Sequence, residues 1–412
     1  MNQPKGCLAI LFDRIGPYHF SRLKAIGAAL PTVAIETYGL DDVYKWELVK
    51  GSDSFKRVTL FAAKKPESGG HATLVQRVHA ALDDCRPAAV AIPGWVEPAA
   101  LSALQWCLSR KIPAIMMSDS TEWDQPRIFW KEWVKGNLVR LASTALVAGT
   151  PHATYIEKLG LVSDRVFPGY DVVDNDHFKR GADLARQHEP ELRNKHALPQ
   201  HYFLASARFI EKKNLIRLIQ AYARYRARAK SPAAREQGAE IWDLVLLGEG
   251  PMGDDIRGQI ATLNLKEHAW LYGFRQYDEL PIFYGLAKVF VHASTTEQWG
   301  LVVNEAMASG LPVLVSNRCG CAMDLVQEGG TGFSFDPFNV EQMAELMVRC
   351  SSNSTGLSGM GIAARKLVAN WGCNRFVEGL TRAVEMAIKV PLPKTPVLAP
   401  LLIKYLLTRD AG

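Results

Sequence analysis

Residues Lys288–Ser316 read KVFVHASTTEQWGLVVNEAMASGLPVLVS, and their pattern decides the fold. Val289–His292 is a short β-rich run, followed by a polar loop with Ser294, Thr295, Thr296 and Glu297. A helical run extends from about Leu301 to Ser309, Gly310 stops it, and Pro312–Ser316 is a second β-rich run. Strand, helix, glycine stop and strand make a βαβ unit. Ligands of such units sit beyond the carboxyl ends of the strands, where the loop meets the helix N-terminus. Glu297 lies there, and Glu305, after seven intervening residues, falls about one turn into the helix. A helix start near Gly300 and Leu301 offers unpaired amides and a positive dipole end, which suit a phosphate. Taken singly, Glu305 is an ordinary exposed helix carboxylate and Glu297 an ordinary loop charge. Together, in this setting, they point to a site.

The segments just upstream repeat the design. His201–Ala207 is a strand, ending in Arg208, Glu211, Lys212, Lys213 and Asn214. The next helix carries Leu215, Leu218, Ile219, Tyr222 and Tyr225 at helical spacing, which gives it a buried face. Arg208 and Lys213 therefore flank another strand-to-helix turn; surface cations of a basic helix region would account for them equally, since Arg217, Arg224, Arg226 and Arg228 follow. Asp243–Leu247 runs into Gly248 and Gly250, and Trp270 leads into Tyr272, Gly273 and Phe274. Tight turns alone would explain those glycines.

Alternation of β and α continues through the first half. Strand-like runs stand at Cys7–Phe12, Thr32–Glu36, Arg57–Phe61, Ala88–Ile92, Ile112–Met117 and Ala145–Ala148. Helical stretches occupy roughly Phe20–Leu30, Ala72–Cys85, Pro98–Ser109 and Pro126–Leu141. This spacing means an α/β, doubly wound parallel sheet. Three strand-end loops are candidate sites: Asp13–His19 with its lone Gly16, Gly94–Pro98 with Trp95, and Ser118–Glu122 with Asp119. A plain turn, a proline at a helix start and a helix cap are the competing explanations. Phe129, Trp130 and Trp133 alternate with Lys131, Lys135 and Arg140. Aromatics among cations suit a membrane interface, while an amphipathic helix packed on the sheet is the commoner cause of the pattern. Asp174-Asn175-Asp176 fits a metal–nucleotide Asp-x-Asp pattern, but three residues match by chance too readily. The polar stretch Lys179–Gln200 reads as a linker.

The chain has 412 residues, 48% apolar and 22% charged, enough for two domains with full cores. Its net charge of +6 favours anionic partners but is not clustered as in a nucleic-acid binder. Seven thinly spread cysteines form neither a disulfide nor a zinc framework, so reduced thiols in a cytoplasmic protein are expected. No signal peptide or spanning helix is read, since Cys7–Phe12 is too short.

Glu–seven residues–Glu followed by Ala306-Met307-Ala308-Ser309-Gly310-Leu311-Pro312-Val313 resembles the signature of retaining glycosyltransferase family four. The likeness spans about Tyr202 to Trp371, where Arg208, Glu211 and Lys213 match Gly-Arg…Glu-Lys-Gly while Ala207 and Asn214 replace its glycines. It implies the GT-B architecture, two Rossmann-like doubly wound domains facing a cleft: an acceptor-side domain over 1–175, a nucleotide-sugar domain over 176–375, and a tail over 376–412 packing back on the first. It also implies transfer of a sugar from a nucleotide diphosphate, UDP by default, to a carbohydrate, lipid-linked or small-molecule acceptor, with no cofactor, metal or nucleic acid. Arg208 and Lys213 would hold the diphosphate, Gly300 and Leu301 would help, Glu305 would bind the ribose and Glu297 the donor sugar. Gly248, Gly250, Tyr272, Gly273 and Phe274 would face the nucleoside, and Gly16 the phosphates; His19, Trp95 and Asp119 would face the acceptor or sugar. The family's histidine near the sugar is absent, with Asp119 in its region, and Cys319-Gly320-Cys321 with Asp324 departs from Gly-Gly-x-x-Glu. A nucleotide-sugar epimerase of the same fold and a non-catalytic nucleotide-sugar-binding subunit stay open, as does peripheral contact at the inner membrane face.

Overall fold

Runs of apolar, β-branched residues bounded by polar turns form strands buried on both faces, as parallel sheets demand. In the computed structural model, which describes residues 6–40, 51, 53–63, 70–232, 236, 238, 240–352 and 354–408, they build two parallel sheets flanked by helices. The last residues of the expected tail, 409–412, lie outside the described residues. The chain divides into two units: unit 1 is Met1–Val172 with Cys373–Gly412, and unit 2 is Val173–Gly372.

Unit 1 contains β1 (Leu8–Phe12), β2 (Thr32–Tyr38), β3 (Lys56–Phe61), β4 (Ala89–Pro93), β5 (Ala114–Ser118), β6 (Thr144–Val147) and β7 (Val166–Pro168). Their order is β3-β2-β1-β4-β5-β6-β7. Because side chains alternate between faces, Ala9, Leu11, Val90 and Ile92 enter one core layer, and Leu8, Ile10, Ala89 and Ala91 the other. The helices His71–Cys85 and Pro98–Arg110 cover the first layer, joined by Ala399–Thr408. Pro17–Ala29 and Cys373–Lys389 cover the second.

Unit 2 contains β8 (Tyr202–Ser206), β9 (Asp243–Leu247), β10 (Ala269–Gly273), β11 (Val289–His292), β12 (Val313–Ser316) and β13 (Gly332–Phe335), in the order β10-β9-β8-β11-β12-β13. Both sheets reverse direction of growth once, between β1 and β4 and between β8 and β11. Those reversals are the topological switch points where open α/β sheets bind ligands.

The stretch read as a linker is folded. Asn175–Gln187 and Glu189–His196 are helices, and Phe178, Ala182 and Ala185 of the first are buried at helical spacing. Asp174 caps that helix, its Oδ1 accepting from the His177 amide at 3.1 Å; the Asp-x-Asp run is thus a helix start. The strand β7 has only three residues and ends in proline, which hid it from periodicity.

Candidate functional site

At the second switch point, β8 delivers Arg208 and the 3₁₀ turn Glu211–Lys213, while β11 delivers the loop with Glu297. These two strands are hydrogen-bonded neighbours, with Val289 opposite Phe203, so the two loops emerge side by side. Lys213 Nζ donates directly to Glu297 Oε2. Lys212 Nζ stands 4.0 Å from Oε1. His292 Nε2 lies 3.4 Å from Oε2, and Ser294 Oγ donates to the same oxygen at 3.3 Å. Burial by itself would raise the Glu297 pKa, since its side chain is only 11% exposed. The Lys213 ammonium, with the contribution of His292, overrides burial and holds the carboxyl well below the usual range. His292 in turn is pushed down, first by burial, with the Lys213 and Lys212 charges adding to it against the opposing pull of Glu297.

Backbone contacts fix the loop. The Gly320 amide donates to Glu297 O at 3.0 Å, the Glu297 amide to Arg318 O at 3.2 Å, and the Cys321 amide to Trp299 O at 3.1 Å. The Cys319–Cys321 segment therefore braces the Glu297 loop; both thiols are buried and free. Gly300 caps the helix Leu301–Ala308 with φ +102°, a left-handed value that only glycine adopts without strain. The helix so launched presents its positive end beside Glu297.

Glu305 is no surface carboxylate. It is 0% exposed, and the Tyr284 hydroxyl donates to its Oε2 at 2.7 Å. The residues expected to face a nucleoside sit at the ends of β9 and β10. Gly248 has φ +128°, and a Cβ there would come within 1.9 Å of Ala207 O, so close packing against the β8 exit requires glycine whether or not a base binds. Gly250 packs likewise on Phe209, whose amide donates to Glu249 O at 2.8 Å. The Gly248 amide donates to Gly273 O at 2.9 Å, tying the two turns together. Tyr272 donates its hydroxyl to Ala197 O at 2.7 Å, and the Phe274 amide donates to Glu249 Oε1 at 3.4 Å.

Unit 1 brings fewer of its candidates together. Gly16 precedes the helix Pro17–Ala29, its amide donating to His19 Nδ1 at 3.4 Å. Burial first, then Arg22, push the His19 pKa down to about 3. Trp95, expected to face the acceptor, is buried in the apolar core with Leu60, Ala99 and Leu101. Asp119, at the end of β5, does not cap the following helix. Asp124 closes that turn, accepting from the Thr121 amide at 2.8 Å, and the helix Phe129–Val139 follows N-cap Ile128 with no side-chain cap. Burial, then the Asp171 charge, raise the Asp119 pKa to about 7.

Sequence reasoning missed His292 and Ser294. His292 looks like a strand-end residue and Ser294 like an ordinary loop serine, and the available signal was polar side chains within five residues of Glu297 at a strand's carboxyl end.

Residues 188–367 match the family described as Glycosyl transferases group 1. A sulfoquinovosyl transferase of Arabidopsis thaliana is 42% identical over 101 residues, 24% of this chain and 19% of that protein. A GDP-mannose-dependent alpha-(1-6)-phosphatidylinositol monomannoside mannosyltransferase of Mycobacterium tuberculosis is 29% identical over 208 residues, 48% of this chain and 50% of its own. The chain thus spans half or less of these relatives. The crystal structure of HepE from Anabaena in complex with UDP and glucose superposes with a TM-score of 0.70, covering 92% of this chain and 99% of that one at 16% identity. At that identity the likeness shows the fold, which is GT-B.

Proposed function

We propose that the chain, whose residues 188–367 match Glycosyl transferases group 1 and whose fold is GT-B, moves a sugar from a nucleotide diphosphate to an acceptor hydroxyl with retention at the anomeric carbon. The observation that carries this reading is the Lys213–Glu297 ion pair at the switch point of the second sheet, beside a helix N-terminus. Heterolysis of the donor makes negative charge on the leaving diphosphate and positive charge on the sugar. Lys213 and Arg208, with the amides at Gly300 and Leu301, supply cations and dipoles for the first. Glu297 supplies a fixed negative charge for the second. A carboxylate so firmly ionised and so fully hydrogen-bonded is a weak base and a weak nucleophile. Its fitting role is electrostatic, and the departing phosphate takes the acceptor proton. This scheme draws its charge compensation from side chains and needs no metal.

A ribose diol reaching Glu305 would exchange one hydroxyl donor, that of Tyr284, for another. In unit 1, Asp119 is the group suited by its near-neutral pKa to meet an acceptor hydroxyl. UDP-sugars are the first donors to try, since the Anabaena neighbour holds UDP; the mycobacterial relative's name makes GDP-mannose the second.

Release of nucleotide diphosphate from UDP-, GDP- and ADP-sugars, in EDTA, tests the reading. We expect slow release from one donor, lost by about 10²–10³-fold in Glu297→Gln and in Arg208→Ala. An isomerised donor without release would make the protein an epimerase. Binding without turnover across acceptors would make it a binding subunit, and release abolished by EDTA would sink the metal-free scheme.

A further inference from the structure

The helix Ala399–Thr408 is apolar on two opposite sides. Ala399, Ile403 and Leu407 enter the unit 1 core. Leu398, Leu401 and Tyr405, at i, i+3 and i+7, form a second stripe that is exposed, Leu401 by 62%. On the same core layer the helix Phe129–Val139 buries only Gly136, Leu138 and Val139. Its aromatics are turned outward: Phe129 is 87% exposed, Trp130 52% and Trp133 55%. This overturns the expectation that they pack on the sheet. Soluble surfaces rarely gather large apolar side chains in this way without a partner.

Charge decides which partner. Exposed Lys131 lies beside the Trp130 ring, its Nζ 5.7 Å from the centroid. Exposed Lys394 and Lys404 flank the second stripe. No aspartate or glutamate occurs from Val390 to Thr408. The lone carboxylate of the other helix, Glu132, is neutralised by Arg127 at 3.1 Å and Lys135 at 2.9 Å. Apolar side chains interleaved with unopposed ammonium groups would strand those charges in a protein–protein contact. They suit a headgroup layer, where Trp and Tyr rings and Lys side chains are each favoured. Among the described residues no helix is long and apolar enough to cross a membrane, so the helices would lie along the surface.

We propose that unit 1 docks peripherally on anionic phospholipid through the outer faces of Phe129–Val139 and Ala399–Thr408. The proposal does not depend on which sugar is moved or whether one is. The full chain is floated with phosphatidylcholine vesicles with and without phosphatidylglycerol, and its tryptophan emission is followed with brominated lipid. Binding should strengthen about tenfold or more with anionic lipid, and brominated chains should quench the exposed tryptophans. The double variants Trp130→Ser/Trp133→Ser and Leu401→Ser/Tyr405→Ser should each lose flotation while keeping the wild-type melting temperature. Flotation retained by both variants, or binding without quenching, overturns the proposal. So does a vesicle-independent dimer that the same substitutions dissolve, which would assign the face to a second copy.

Discussion

The two switch points share a topology and differ in charge. In unit 1 the Asp13–His19 loop is anchored by a satisfied carboxylate. Buried Glu36 accepts from the Ile15 amide at 3.1 Å, from Arg57 Nε at 2.8 Å and from Thr59 Oγ1 at 2.6 Å. Nearby, Arg22 and Asp171 pair at 3.1 Å, with side chains 2% and 9% exposed. Those pairs hold backbone in place. In unit 2 the corresponding loops put Glu297, two lysines, an imidazole and a helix N-terminus together. A parallel sheet makes a place for a ligand twice; in the first the charges are paired around backbone, and in the second a carboxylate and two lysines meet beside a helix N-terminus, the arrangement the proposed transfer would use. Fold does not confer chemistry; the side chains at its rim do.

Removing one charge from unit 2 should have the largest effect. Lys213→Ala leaves Glu297 buried against fewer cations, so we expect roughly 3 kcal/mol of lost stability and about 10³-fold slower diphosphate release. Denaturant titration and single-turnover release measure the two losses, and a variant keeping both would erase the contrast drawn above. In unit 1, Trp95→Ala should cost about 3–4 kcal/mol in unfolding free energy and leave nucleotide affinity unchanged by calorimetry. Loss of acceptor use without loss of stability would return Trp95 to the site. The smallest expected effect belongs to Asp119. Its pKa is raised from the model-peptide value of 3.8 to about 7, so the folded state holds a proton that the unfolded chain releases. That stabilisation is complete below about pH 4 and is lost as pH rises to about 7. Asp119→Asn should flatten this slope and be more stable than wild type at pH 8 by on the order of 1–3 kcal/mol. Parallel melts across pH 4–8 with the wild-type slope in both proteins would show that Asp119 is not the group responsible.

Legibility in the sequence followed how local each feature was. Apart from the short β7, the strands stand out because apolar residues on both faces leave continuous β-rich runs such as LAILF and VFVH. Glu297 and Glu305 were visible through their spacing around a helix start, and Arg208 and Lys213 through a strand end. The helices of 175–196 were obscured because exposed, highly charged faces outnumber the buried residues, Phe178, Ala182 and Ala185 in the first and Arg193 in the second. The inward turn of Trp95 and the outward turn of Trp130 and Trp133 depend on tertiary surroundings that a one-dimensional pattern does not carry. Burial of Glu305 is of the same kind, since its partner Tyr284 arrives from a different helix. His292 needed three dimensions as well, because a strand-end histidine gains meaning only when the carboxylate folds back over it.

The discontinuity of unit 1 has a consequence for the nascent chain. Val173 and Gly372, the two ends of unit 2, pair as a β-bridge, so that unit closes on itself like a bead whose two threads leave at one point. Everything it needs has left the ribosome once Gly372 has emerged. Unit 1, begun first, is finished last: Phe376, Leu380, Ala383 and Val384 of its late helix fill the layer over Leu8, Ile10 and Ala91. During synthesis the earlier-made sheet therefore waits with one face uncovered while some two hundred residues are translated. An excised 173–372 fragment should be a self-sufficient protein, whereas a fragment ending at 172 should be a client for chaperones.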